Sequence, residues 1–109
     1  MEKIYVCSKL RGDFINNQQK AKEYCRKIIL DGNLPIAPHI YFTQFMDDDK
    51  NNERTLALNF NKELIKFCDQ VWVFGSDISS GMLFEINFAN SLNKKVVYKE
   101  VENELPRKV

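Results

Sequence analysis

The chain has 109 residues, with 16 basic against 15 acidic side chains and a formal net charge of +1. That length suits one domain, residues 1–109, with a modest core, and the composition (44% apolar, 28% charged) is that of a soluble globular protein. The balanced charge argues against a nucleic-acid polymer held by charge alone, and no apolar stretch approaches the roughly 20 residues of a membrane helix.

The N-terminus runs straight into a strand pattern, which predicts no signal peptide and a cytoplasmic protein. Lys3 to Ser8 reads as the first strand, with Ile4, Tyr5, Val6 and Cys7 apolar, and Lys9 to Asp13 as a loop. A helix follows from roughly Asn16 to Asp31. Its apolar stripe is Ala21, Tyr24, Cys25, Ile28 and Ile29, and Gly32 and Asn33 end it. Leu34 to Ala37 is a short second strand, and Pro35 places it near a sheet edge. Pro38 to Met46 is rich in aromatics without a clean period. It reads as an irregular segment that walls a pocket or packs at a subunit interface. After the polar stretch Asp47 to Asn52, a helix spans Glu53 to Cys68, with Ala57, Phe60, Leu64 and Phe67 or Cys68 as its buried stripe.

Val71 to Phe74 is an uninterrupted apolar run, the pattern of a strand covered on both faces. Gly75 closes it, Ser76 to Gly81 has loop composition, and Ser79 or Ser80 caps a helix running to about Asn93. Lys95 to Tyr98 is the last strand, and Val101 to Val109 is a loose tail or a short final element. Cys7, Cys25 and Cys68 are odd in number and widely spaced within apolar segments, so they read as buried thiols in a reducing compartment. There is no CxxC pair, and the single His39 completes no familiar zinc spacing. No metal and no cofactor is therefore expected.

Alternating strands and helices predict an α/β, three-layer, Rossmann-like sandwich. Its parallel sheet would have four or five strands in the flavodoxin-like order 2-1-3-4 or an extension of it. In that order the loops after strands one and three face each other across a crevice. The first loop offers Ser8, Arg11 and Gly12; the third offers Ser79, Ser80 and Gly81 at a helix N-terminus. Hydroxyls, free backbone N–H groups and the helix dipole suit an anion such as phosphate, and Arg11 could clamp it. Taken singly, a serine there is a plain cap and a loop arginine is solvated.

Glu85 shares a helix face with Met82 and Ala89, which should point to the sheet. Either an ion pair or a boundary position accounts for it, or it faces the crevice. Asp69, just before the third strand, either bonds loop backbone or joins Glu85. Two carboxylates flanking a sugar can break a glycosidic bond, one attacking C1′ and the other handling the proton or the hydroxyls. His39 is structural, or it contacts a phosphate or a base. Tyr5 is a core aromatic whose hydroxyl needs a partner once buried.

Several stretches carry a family likeness: Lys3-Ile4-Tyr5-Val6-Cys7-Ser8 with Arg11-Gly12, Asp69 before an apolar strand, then Ser79-x-Gly81 and Glu85 with Ala89. In that order they resemble the nucleoside 2-deoxyribosyltransferase superfamily, with the 2′-deoxynucleoside 5′-phosphate N-hydrolases as the nearest enzyme type. The segment Ala37 to Phe45 with Trp72-Val73-Phe74-Gly75 is similar to a small bacterial and phage branch of it. The resemblance implies a homodimer or higher homo-oligomer with sites near the subunit interface, a nucleoside or nucleotide substrate, and a retaining mechanism through a glycosyl-enzyme ester. It implies Glu85 as nucleophile, Asp69 as the acid contacting sugar or base, and Tyr5 beside the nucleophile. Arg11, Gly12, Ser79 and Gly81 fall on the phosphate side, and His39 matches the hydrolases' histidine. The alternative function is a nucleotide-binding or sensing module without turnover.

Overall fold

The protein is described by a computed structural model covering residues 1–47 and 49–99. Val101 to Val109, expected as a tail, lies outside the described residues.

Among the described residues, β1 (Lys3–Cys7), β2 (Leu34–Ile36), β3 (Gln70–Phe74) and β4 (Lys95–Lys99) form one parallel sheet in the order β2-β1-β3-β4. The sheet is covered on both faces, which is why its two central strands are apolar after their first residues, Lys3 and Gln70. Ile4, Val6, Trp72 and Phe74 meet Tyr24 and Ile28 of α1 (Phe14–Leu30) on one side. Tyr5, Cys7, Val71 and Val73 meet Ile65 of α3 (Asn51–Phe67) and Met82, Ile86 and Ala89 of α4 (Ser80–Ser91) on the other. The result is the expected three-layer, Rossmann-like α/β fold. β2, with Pro35 at its centre, is an edge strand, where a missing donor costs least.

The segment after β2 is more regular than its composition suggests. Pro38–Tyr41 forms a short helix, α2, and Phe42–Gln44 a 3-10 turn. Proline suits a first helical position, and Gln18 of α1 ties the segment down. Its side-chain amide donates to the His39 carbonyl (3.0 Å) and to Thr43 Oγ1 (2.6 Å).

Two helix stripes depart from expectation. In α1, Ile29 is 58% exposed and the buried line is Ala21, Tyr24 and Ile28; Cys25 is only half-buried, because a helix over a short edge strand buries a narrow stripe. In α3, Phe60 and Phe67 are 42% and 57% exposed. Arg54, Leu58 and Asn61 turn to a cavity instead, in line with buried Ile65 and Cys68. Their spacing of four, three, four and three residues is a helical stripe as regular as the expected one. The displaced aromatics find partial cover elsewhere: Phe60 against the Phe42 ring (5.6 Å) and Phe67 under the Lys3 ammonium (5.1 Å).

Asp69 does not join Glu85. It stands at the start of β3, where its Oδ2 accepts from the Lys3 backbone N–H (2.8 Å) and faces the Lys3 ammonium (3.5 Å). All strands of a parallel sheet start at one edge and end at the other, so an acid before β3 lies away from the crevice at the strand ends. Asp69 clamps the starts of β1 and β3 instead. The Lys3 backbone N–H holds its carboxyl below the usual range. A lowered folded-state pKa stabilises above the ordinary aspartate range, and that contribution is lost as pH falls through the lowered value. Asp69→Ala should therefore lower the thermal midpoint at about pH 7, and the gap to wild type should close at about pH 2, as followed by thermal unfolding at both pH values.

Candidate active site

The loop that follows β1, His39 of α2, the inward face of α3 and the first turns of α4 enclose a cavity of about 320 Å³. This is the switch point of the sheet, where β1 leads to β2 on one side while β3 leads to β4 on the other. Ser8, Arg11, His39, Ser79, Ser80, Gly81 and Glu85 all line it, as do Arg54, Leu58 and Asn61 of α3.

Glu85 belongs to the buried stripe of α4 with Met82, Ile86 and Ala89, and is 8% exposed. Among the described residues no cation forms an ion pair with it. Its Oε2 accepts from the Tyr5 hydroxyl (2.9 Å) and from Asn61 Nδ2 (2.8 Å). Both bonds fall on one oxygen, which leaves Oε1 as the oxygen the carboxylate can offer to the cavity. Burial pushes the carboxyl up to about 7, while hydrogen bonds from Tyr5, Asn61 and Cys7 restrain the rise. Burial, reinforced by the charge of Glu85, raises Tyr5 well above its ordinary value, so its hydroxyl remains a donor. Behind the cavity, the Cys7 thiol points to the Met82 carbonyl (3.8 Å). Cys7, Cys25 and Cys68 are all free thiols, the first and last of them buried.

At the other end of the cavity α4 begins. Ser79 is its N-cap, accepting from the Met82 N–H (3.2 Å). The N–H groups of Ser80 and Gly81 belong to the unpaired first turn, where the helix dipole is positive. Arg54 Nη2 lies 3.4 Å from Ser80 Oγ. Among the described residues no carboxylate makes an ion pair with Arg54. A guanidinium against a positive helix end suits an anion between them.

Ser8 Oγ and His39 Nε2 are 2.9 Å apart on a third wall. Burial lowers His39 to about 4, so its ring is neutral at pH 7. Arg11 stands at the rim, its Nη2 3.7 Å from Asp49 Oδ1. Gly12, with φ of +98°, lies outside this cavity. It lines an adjoining hollow of about 440 Å³ with Arg11, Asp47 and Asp49. The turn at Gly12 carries the chain away from the crevice into α1, so the first loop contributes Ser8 and Arg11 but not Gly12. The Pro38–Met46 segment is a wall on its inner side, where Pro38, Phe42, Thr43 and Met46 enclose an apolar recess of about 60 Å³. Its outer side leaves Tyr41 and Phe45 exposed.

Sequence reasoning missed Arg54 and Asn61. The one available signal was their spacing of seven residues, in line with Leu58 and Ile65 on a helix face. Among the described residues no group of three or more His, Cys, Asp or Glu side chains comes together as a metal site.

The fold is nucleoside 2-deoxyribosyltransferase-like. The structure is similar to a 2-deoxyribosyltransferase from Bacillus psychrosaccharolyticus (TM-score 0.66, 21% identity, 90% of this chain and 72% of that one). It is similar to a 2-desoxiribosyltransferase from Leishmania mexicana (0.62, 16%, 94% and 66%). It is also similar to the CMP N-glycosidase of Clostridium botulinum (0.61, 18%, 91% and 71%). Residues 2–99 match a family described as a domain of unknown function, DUF7768, and the chain belongs to that family. A comparison with curated proteins gives no significant match.

The raised Glu85 pKa makes the stability of the fold depend on pH. The folded state holds this proton up to about pH 7, whereas an exposed glutamate loses it near 4.5. Between those values the folded state binds more protons, so the contribution of Glu85 to stability falls as pH rises, by up to about 3 kcal/mol. Glu85→Gln cannot ionise. Measured by denaturant unfolding, it should gain stability relative to wild type between about pH 4.5 and about pH 8.

Proposed function

We propose that this protein cleaves the N-glycosidic bond of a nucleoside 5′-monophosphate, with Glu85 as nucleophile. The observation that carries the proposal is the buried Glu85 carboxylate, held on one oxygen by Tyr5 and Asn61 at the wall of a cavity whose far end suits an anion. The likeness to 2-deoxyribosyltransferases and a CMP N-glycosidase supports the same chemistry.

In this reading the 5′-phosphate sits between Arg54, Ser80 and the first turn of α4, and the sugar reaches inward to Glu85. Oε1 attacks C1′ as the bond to the base breaks, and the bonding pair leaves with the base, which takes up a proton. The product is a glycosyl ester. Water then attacks C1′ and releases a proton, which balances the one the base took from solvent, giving the free sugar phosphate and restoring the carboxylate. Tyr5 and Asn61 hold Oε2 through both steps, so the attacking oxygen is fixed before the substrate arrives. Ser8 and His39 offer a hydroxyl and a neutral imidazole to the base. Asp69, at the opposite edge of the sheet, takes no part. Hydrolysis leads over transfer to a second base because the outer end of the cavity suits a 5′-phosphate.

The two bonds on Oε2 also suit a carboxylate that only grips a sugar hydroxyl, which is the second reading: a nucleotide-binding module without turnover. Nucleosides and their 5′-monophosphates incubated with the protein, with free base followed by chromatography, separate the two. Base release from a monophosphate is expected, and Glu85→Gln should reduce it by at least about a thousandfold without unfolding the protein. Unchanged release in that variant would remove Glu85 from the chemistry, and binding without any release would select the module. Arg54→Ala should raise KM for the monophosphate about tenfold while leaving the corresponding nucleoside unaffected.

A further inference from the structure

Asn61 has one half of its amide accounted for and the other half not. A carboxylate offers acceptors only, so the nitrogen of Asn61 must face Glu85 and the carbonyl Oδ1 must face away. Among the described residues Oδ1 is the one buried side-chain polar atom without a hydrogen-bond partner. Buried acceptors are rarely left so. This one stands one amide away from a nitrogen 2.8 Å from Glu85 Oε2, on a side chain that borders both the cavity and its apolar recess.

The donor it wants can be deduced from the geometry of the displacement, and the deduction rests on the function proposed above. Attack at C1′ is in line, with the carboxylate about 3 Å from the carbon on the face opposite the base. The N–H groups of the base therefore lie on the far side of C1′ from Glu85 and from anything bonded to it. What an acceptor beside Glu85 meets is the sugar face under attack. The first hydroxyl on that face is the 2′-hydroxyl, on the carbon next to C1′. The 3′-hydroxyl is one carbon further away.

We propose that Asn61 Oδ1 accepts a hydrogen bond from the ribose 2′-hydroxyl, so that this protein selects ribonucleotides over 2′-deoxyribonucleotides. Asn61 then has two tasks in one amide. Its nitrogen holds the oxygen of Glu85 that does not attack, and its carbonyl reads the sugar. A deoxy sugar would leave that carbonyl buried and unpaired in the complex, which is how a site rejects an analogue lacking one hydroxyl.

The test uses ribose 5-phosphate and 2-deoxyribose 5-phosphate, which carry no base and so have no glycosidic bond to the base to cleave. Titrated calorimetrically into the wild-type protein, the ribose form should bind about tenfold or more tightly than the deoxy form. Asn61→Ala should bring the two together by weakening the ribose form. Equal affinities in wild type, a preference for the deoxy sugar, or binding of neither would overturn the proposal. Should Asn61→Ala fail to fold, the wild-type preference alone decides. Base release, measured separately, judges the parent reading. Release without a sugar preference keeps that reading and removes this one, and a preference without release leaves a ribose-reading binding site.

Discussion

The structure depends on one buried carboxylate and the two donors that reach it from different layers of chain. Glu85 comes from α4, Tyr5 from the centre of the sheet and Asn61 from α3. A carboxylate in such a place without donors would simply take up a proton. One fully surrounded by cations would be inert as a base or nucleophile, because its charge would be held too tightly. Neutral donors, Tyr5 and Asn61 on one oxygen and the Cys7 thiol close by, give an intermediate result, a group that titrates near neutrality. The arrangement also knits the fold, since no two of the three residues come from the same element.

That constraint explains the least expected feature of the packing. For Asn61 to meet Glu85, α3 must present the line Arg54, Leu58, Asn61, Ile65 and Cys68 to the rest of the molecule. Phe60 and Phe67, one residue to the side of Asn61 and Cys68, are then swung towards solvent. Hydrophobicity alone would turn the helix the other way. The exposed rings recover part of the loss from Phe42 and Lys3, and Asn61 is stabilised through a charge-assisted bond. A helix rotated against its own apolar stripe is a local conflict of the kind that marks sites of function.

What could be read from the chain beforehand divides along the same line. The strand order, the two-faced burial of β1 and β3, the cap at Ser79 and the inward direction of Glu85 all follow from local patterns, namely apolar runs, a capping residue and a helical repeat. Those patterns refer to neighbours within about one turn. Gly12 and Asp69 divide for a different reason. Of the two readings of Asp69 the backbone bond is the one realised, and each residue is placed by the direction of the chain: Asp69 at the edge of the sheet away from the crevice, Gly12 beyond the turn that leaves the cavity. Arg54 and Asn61 were illegible because two equally regular stripes overlap on α3. Only a partner on another element, the carboxylate of α4, decides between them.

The charge layout of the cavity narrows what can occupy it. Its outer end gathers positive partial charge from the first turn of α4 and the guanidinium of Arg54. About one turn further along the same helix stands the Glu85 carboxylate, which as the proposed nucleophile must be ionised to act. A free anion would be held by the first feature and gain nothing from the second, and a cation would do the reverse. A molecule with an anionic group at one end and an electrophilic carbon a short neutral span away uses both. It also solves an electrostatic difficulty, since a phosphate brought near Glu85 would by itself favour the protonated acid. Arg54 and the helix end sit on the phosphate side and offset that charge where it enters. Under the proposed function the carboxylate can then lose its proton with the ligand in place, and the cation on α3 would serve the reacting group as much as the phosphate.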